Sequence, residues 1–148
     1  MEFNSILVAT DFSECSGAAF NAAQTLAQRF DAKIILLHVI DKKFLDRLST
    51  HTGKGKEELG QELRRQAEKD MALFLRQWRI SDQEIDTIIA TGIPFQEIAV
   101  LARDLAVDLV ILGGYGRRGR GEIEEVFFGS TAEKVVRLLP CPVLCIPS

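Results

Sequence analysis

Val107-Asp-Leu-Val-Ile-Leu-Gly-Gly114 is a short run of branched apolar residues that ends directly in two glycines. A run of this kind is typical of a strand that is covered on both faces of a parallel sheet. Three more glycines follow before Glu122, and the chain then reaches a helix that we expect to start near Ser130. Bare glycine backbone and the unpaired N–H groups of a helix start suit a phosphate chain. The alternative is a solvated surface loop.

Similar apolar runs predict four further strands, at residues 5–9, 33–39, 85–91 and 143–146. Helical spacing of apolar residues fills most of the intervals between them. The predicted helices run from an N-cap at Ser13 to residue 30, over residues 57–78, from Pro94, and over residues 130–139 with Val135 and Val136 buried. The polar segment at residues 41–56 is interpreted as a connection.

Strands that alternate with helices predict a parallel sheet with helices on both faces. In such sheets, ligands bind outside the carboxyl ends of the strands, where the winding reverses. Thr10-Asp11 follows the first predicted strand, and Gly113-Gly114 follows the fourth. If these two strands are neighbours, their ends converge on one crevice, which favours ligand binding by the glycine-rich segment.

Length, charge and composition argue against several classes of protein. The 148 residues predict one domain, 1–148, and a net charge of −3 with a pI near 5.4 argues against general nucleic-acid binding. No apolar run approaches the roughly 20 residues that a membrane span needs, and the N-terminus lacks a basic signal region, so the expected compartment is the cytoplasm. Three cysteines argue against a disulfide framework, and two histidines are too few for a typical zinc site. Cys15 and Cys145 are expected to be buried.

Several stretches resemble the universal stress protein family, in particular its ATP-binding branch, and the resemblance covers nearly the whole chain. The stretches include Ile6-Leu-Val-Ala-Thr-Asp-Phe-Ser13, Gly92-Ile-Pro94, Asp108-Leu-Val-Ile-Leu-Gly113 and Gly129-Ser-Thr-Ala-Glu-Lys-Val135. The family's nucleotide signature is G-x2-G-x9-G-[ST], which fits by spacing at Gly116, Gly119, Gly129 and Ser130. Counted from the end of the fourth strand, the signature instead uses Gly113, Gly116, Gly129 and Ser130, with about three extra residues near residues 117–121.

The resemblance implies a single-domain, Rossmann-like sandwich of the adenine nucleotide alpha hydrolase type, with a five-stranded parallel sheet. It implies ATP as the ligand, with Mg²⁺ as a candidate companion of its phosphates. It also implies a homodimer that pairs through the final strand, at Val143, Leu144, Cys145 and Ile146, and it leaves room for an unknown protein partner. The implied nucleotide-binding residues are Ala9, Thr10, Asp11, Val39, Gly113, Gly116, Arg117, Gly129, Ser130 and Thr131.

Other interpretations stay open. Asp11 could merely cap the first helix, and His38 fits a hydrogen-bonded core histidine better than a ligand or base. Slow ATP hydrolysis lacks an evident base to activate water. A nucleotide-free interaction module would follow if the extra loop residues closed the phosphate site. Gly114-Tyr-Gly-Arg-Arg-Gly119 also matches G-x-G-x-x-G, but it follows the fourth predicted strand and does not open a helix directly, so we treat the match as accidental. We expect Gly113→Val and Gly129→Val to abolish ATP binding and leave the fold intact.

Overall fold

The computed structural model describes residues 2–80, 82–114, 130–139 and 141–147, and for residues 130–132 the backbone alone. Within these residues, five parallel strands form one sheet in the order β3-β2-β1-β4-β5. The strands are β1 Ser5–Ala9, β2 Lys33–Asp41, β3 Ile85–Gly92, β4 Leu109–Gly113 and β5 Val143–Ile146. The sequence-based prediction of a parallel α/β sheet is confirmed.

The helices of the described chain are α1 Glu14–Phe30, α2 Lys42–Thr52, α3 Lys56–Trp78, α4 Pro94–Asp104 and α5 Ser130–Leu138. Ser13 is the N-cap of α1, and its hydroxyl accepts a hydrogen bond from the Ser16 N–H, as its residue type predicts. Pro94 occupies the first turn of α4, where its missing N–H is no loss. No helix in these ranges combines the length and the apolar character that crossing a membrane requires.

Two apolar clusters lie on opposite faces of the sheet. On one face, Phe20 of α1 and Met71 and Phe74 of α3 pack with Ile6 and Val8 of β1. On the other face, residues of α4 and α5 pack with the alternate side chains of the same strands, and these include Ile98, Ala102, Val135, Leu7 and Leu37. Side chains of successive strand residues point to opposite faces, so strands buried on both sides are apolar throughout.

Residues 42–52 form a helix, so the interpretation of residues 41–56 as a connection is wrong. The Asp41 carboxylate accepts a hydrogen bond from the Lys43 N–H and caps the start of α2, and Gly53 ends the helix at φ 73°. Leu45 is the buried residue of α2. With a single buried anchor, the helix lacks the repeating apolar stripe that periodicity detects.

A buried amide joins α1 to the end of α3. The Gln24 side chain is fully buried. Its Nε2 donates to the Trp78 carbonyl at 2.9 Å, and its Oε1 accepts from the Ile80 N–H at 2.8 Å. Gly17 lies against the Trp78 ring so closely that a Cβ at this position would overlap the indole. The contact between α1 and α3 therefore depends on a small residue and a satisfied polar pair.

Candidate functional site

The winding of the sheet reverses between β1 and β4. From β1 the chain moves outward through β2 and β3, and it then returns to the other side of β1 to form β4 and β5. β1 and β4 pair in parallel, with Val8 opposite Ile111. The condition set by the sequence is thus met, because Thr10-Asp11 and Gly113-Gly114 leave adjacent strands at the same carboxyl edge. In doubly wound sheets this edge is the usual ligand site.

Thr10 is the buried anchor of the loop after β1. Its N–H donates to the Leu37 carbonyl at 2.8 Å and extends the pairing of β1 with β2. Its hydroxyl lies 2.7 Å from the Ser16 hydroxyl and accepts from the Phe12 N–H at 2.9 Å. These bonds tie the loop both to the sheet and to the first turn of α1, so Thr10 has a structural role that does not depend on a ligand.

Asp11 lies half-buried between β1 and α1. Its Oδ1 accepts a hydrogen bond from the Ser13 N–H at 3.0 Å, which closes an Asx turn ahead of the helix. The N-cap itself is Ser13, so the interpretation of Asp11 as the cap of α1 is wrong by two residues. The turn places a carboxylate at the carboxyl edge of the sheet, beside the reversal point.

Gly113 allows β4 to approach the backbone of α1. A Cβ built at Gly113 would lie 2.8 Å from the Cys15 carbonyl oxygen and 3.2 Å from the Ser16 nitrogen. The first contact is shorter than real Cβ atoms show and the second is tight, and backbone cannot rotate aside as a side chain would. That Gly113→Val leaves the fold intact stays a prediction. Because the valine must displace β4 from α1, weaker ATP binding in that variant would not by itself identify a phosphate contact.

Ala9 and Val39 form an apolar part of the same edge. Both are half-buried, and both pack against the cluster on the α4 and α5 face. Ala9 pairs with Leu37, so Val39 lies two residues farther along β2 than the end of β1. An apolar residue in this position can contact a flat ring, while the strand end offers backbone groups for hydrogen bonds.

The sequence profile of the universal stress protein family matches residues 2–147. This chain belongs to the universal stress protein family. Among its relatives, universal stress protein MJ0577 of Methanocaldococcus jannaschii is 28% identical over 156 residues, which cover 97% of this chain and 94% of that protein. Universal stress protein YxiE of Bacillus subtilis is 33% identical over 150 residues, which cover 97% and 99% of the two chains.

Solved structures of universal stress proteins share the fold. The structure of MJ0577 superposes with a TM-score of 0.83 at 28% identity and covers all of this chain and 98% of that one. A more distant structure, a universal stress protein of Archaeoglobus fulgidus in complex with dAMP, has a TM-score of 0.67 at 20% identity and covers 99% of each chain. At that identity the likeness shows the fold alone.

The remaining predicted residues of this universal stress protein lie around α5. Ser130 and Thr131 are the first two residues of this nine-residue helix. Because α5 connects β4 to β5, its N-terminus belongs to the carboxyl edge of the sheet. Lys134 Nζ of α5 lies 4.8 Å from the centre of the Phe95 ring in the first turn of α4, a cation–π contact between the two helices. The other predicted residues, Gly116, Arg117 and Gly129, lie outside the described residues, as do Gly119 and the glutamates of the same segment.

Two residues that are absent from the predicted nucleotide set complete the edge. The His38 Nδ1 lies 2.8 Å from the Thr10 carbonyl oxygen, so the predicted hydrogen bond is confirmed, but the residue is half-buried and not part of the core. Phe12 has a positive φ of 67° and stacks on the His38 ring. The sequence carries no signal for this pairing, because a left-handed phenylalanine is unusual and its partner is 26 residues away.

Metal coordination by side chains finds no support in the described part of this universal stress protein. Within residues 2–80, 82–114, 130–139 and 141–147, no group of three or more His, Cys, Asp or Glu side chains is placed to hold an ion. Magnesium that accompanies a nucleotide is usually held by the phosphates with one or two carboxylates.

Proposed function

We propose that this universal stress protein binds an adenine nucleotide at the reversal point of its sheet, with ATP as the expected ligand. We also propose that it works in the cytoplasm as a homodimer. In this proposal, Asp11 accepts a hydrogen bond from the ribose or the base, and Val39 contacts adenine. Gly113, Gly116, Arg117, Gly129, Ser130 and Thr131 surround the phosphates, while Ala9 and Thr10 form the floor. Nucleotide occupancy shifts the protein between states that differ in their choice of a protein partner.

The observation that carries the proposal is the convergence of three features on one edge. The Asp11 carboxylate, the glycine backbone after β4 and the N-terminus of α5 all belong to the carboxyl edge of the sheet at its reversal. Backbone N–H groups at a helix start attract phosphate oxygens. The dAMP complex of the Archaeoglobus fulgidus relative adds support, because that protein holds an adenine nucleotide on the same fold.

Direct identification of the ligand is the first test. Freshly purified protein is denatured, and the released small molecules are identified by mass spectrometry. Calorimetry with ATP, ADP, AMP and GTP, each with and without Mg²⁺, then measures affinity. We expect micromolar binding of ATP, which corresponds to about 8 kcal/mol, and weaker binding of GTP. No retained nucleotide together with no heat from millimolar ATP would refute the proposal and favour a nucleotide-free interaction module.

Asp11→Asn separates the charge of this residue from its role in the turn. The asparagine Oδ1 still accepts from the Ser13 N–H, so the turn and the start of α1 persist. A hydrogen bond to a carboxylate is about 1 kcal/mol stronger than one to a neutral amide, so ATP affinity should fall about 5–10-fold. The control is Asp82→Asn, an exposed residue just before β3 and hence at the opposite edge of the sheet. Equal affinity of both variants would remove Asp11 from the site.

The proposed dimer uses the outer side of β5, at Val143, Leu144, Cys145 and Ile146. β5 is an edge strand of the sheet. The Pro142 carbonyl accepts a hydrogen bond from the Val110 N–H of β4, and the Ile146 carbonyl accepts one from the Gly114 N–H just after β4. Because successive residues of a strand direct their backbone groups to opposite sides, the N–H of Cys145 points away from β4. An edge with unpaired backbone groups is suited to pairing with a second copy.

Cys145→Pro tests this interface, since proline removes the outward N–H and keeps the carbonyls that bind β4. The matched control is Thr87→Pro in β3, the edge strand on the other side of the sheet. There the Glu84 carbonyl accepts from Ile34 of β2, so the Thr87 N–H also points outward. Light scattering on a sizing column should give a monomer for Cys145→Pro and a dimer for Thr87→Pro. A dimer in both variants would refute pairing through β5.

A further inference from the structure

The His38 ring reaches from β2 to the backbone of the loop after β1. Its Nδ1 lies 2.8 Å from the Thr10 carbonyl oxygen. A carbonyl oxygen can only accept, so the proton must be on Nδ1, and this contact fixes the tautomer of the neutral ring. The Thr10 N–H is already bound to the Leu37 carbonyl. Both backbone polar groups of Thr10 are therefore held by β2.

The same ring supports Phe12 in an unfavourable backbone conformation. Phe12 has φ 67°, a region that a bulky residue rarely adopts and that is stable only when its surroundings enforce it. The Phe12 and His38 rings stack with their centroids 4.3 Å apart and their planes at 27°. Phe74 of α3 meets the Phe12 ring edge-on at 5.8 Å. His38 thus contacts the residue on each side of Asp11.

We propose that His38 is a positioning residue for the Asp11 carboxylate, and this inference rests on the proposed nucleotide function. Asp11 lies between a carbonyl that the imidazole holds and a side chain that the imidazole stacks on. Its backbone is fixed at both ends before its own carboxylate closes the turn onto the Ser13 N–H. The residue after His38 is Val39, which the proposal places against adenine. One residue of β2 therefore sets the ribose side of the site relative to the base side.

Two variants separate the hydrogen bond from the ring. His38→Phe keeps an aromatic ring for Phe12 and removes the donor to the Thr10 carbonyl. His38→Asn removes the ring and keeps a donor, because the asparagine nitrogen is as many bonds from Cα as Nδ1 is. Calorimetry is carried out on both variants with ATP and with inorganic tripolyphosphate, which lacks the base and the ribose.

We expect His38→Phe to lower ATP affinity about 2–10-fold, the range for one lost hydrogen bond, and to leave tripolyphosphate affinity unchanged. His38→Asn should recover part of the ATP affinity. A merely structural role would lower thermal stability without moving the ratio of the two affinities. If His38→Phe leaves the ratio of ATP affinity to tripolyphosphate affinity unchanged, the inference is overturned.

NMR on the ligand-free protein gives a readout that does not need ATP. In the wild type, His38 should show the Nδ1–H tautomer in its ¹⁵N shifts, and Phe12 should show the strong contact between its own amide and Hα protons that marks a positive φ. In His38→Phe, the amide signals of residues 11–13 should broaden or move. Unchanged signals and a retained positive φ would refute the positioning role. If wild-type protein binds no ATP but the loop still loosens in the variant, the nucleotide proposal fails while the control of Asp11 by His38 stands.

Discussion

Gly113→Ala should destabilise the protein, against the usual effect of replacing glycine by alanine. The added Cβ would lie 2.8 Å from the Cys15 carbonyl oxygen, 2.9 Å from the Cys15 carbonyl carbon and 3.2 Å from the Ser16 nitrogen. To restore normal contacts, β4 and the first turn of α1 must separate by several tenths of an ångström. Overpacking of this kind costs about 1–3 kcal/mol. The lower entropy of the unfolded alanine chain returns about 0.4–1 kcal/mol, so the expected net loss is about 1.3 kcal/mol at the middle of the two ranges and at most about 2.6 kcal/mol.

Urea unfolding followed by the fluorescence of the single tryptophan, Trp78, measures this loss. The control is Gly60→Ala in the interior of α3, where the nearest atom to a new Cβ is a Leu45 methyl at 3.9 Å. There the better helix propensity of alanine should stabilise the protein by up to about 1 kcal/mol. The two substitutions are chemically identical and are predicted to have opposite signs. If Gly113→Ala is as stable as the wild type, the packing explanation is wrong.

Three further predictions concern the packing of α1 on α3 and the thiols. Gly17→Ala should displace the Trp78 indole, which lies where the new methyl would go, and the tryptophan emission should shift to the red. Gln24→Leu removes two part-buried hydrogen bonds, to the Trp78 carbonyl and from the Ile80 N–H, so urea unfolding should show a loss of about 1–3 kcal/mol. Burial raises the pKa of the Cys141 and Cys145 thiols in the folded protein. The stabilisation from keeping these thiols protonated is fully present below the pKa of an unfolded thiol, and it is lost as the pH rises through the pKa of the folded thiol. At pH 8, mass spectrometry should find both less alkylated in native than in unfolded protein.

The strands of the sheet could be predicted because burial on both faces produces a simple pattern in the sequence. Each strand that is covered on two sides must be apolar at successive positions, and the bounds of β1 and β5 agree with the prediction residue by residue. The order of the strands is not written in this way. From the sequence, we could say only that the ligand site forms if the first and fourth strands are neighbours. The pairing of Val8 with Ile111 shows that they are.

Periodicity was less informative where a helix buries one side only. For α5, both Val135 and Val136 were expected to be buried, but Val135 is fully buried and Val136 is 49% exposed. Successive residues are 100° apart on a helix, so two neighbouring valines cannot both point at the centre of one apolar face. For the cysteines, the prediction of burial was too strong, since Cys15 and Cys145 are half-buried, like Cys141.

The candidate site contains two kinds of residue. Some have a structural role in the fold itself, and for others a role in ligand binding can be tested by substitution. Thr10 and Gly113 match the family pattern, but the first ties the loop to two elements and the second admits the α1 backbone. Both roles would preserve these residue types in a chain that binds nothing, so a match at these positions cannot separate a binding protein from an empty fold. Asp11 differs, because asparagine can replace its turn contact while removing its charge. A charge-specific loss of ATP affinity at Asp11 is therefore stronger evidence for the nucleotide site than any glycine substitution.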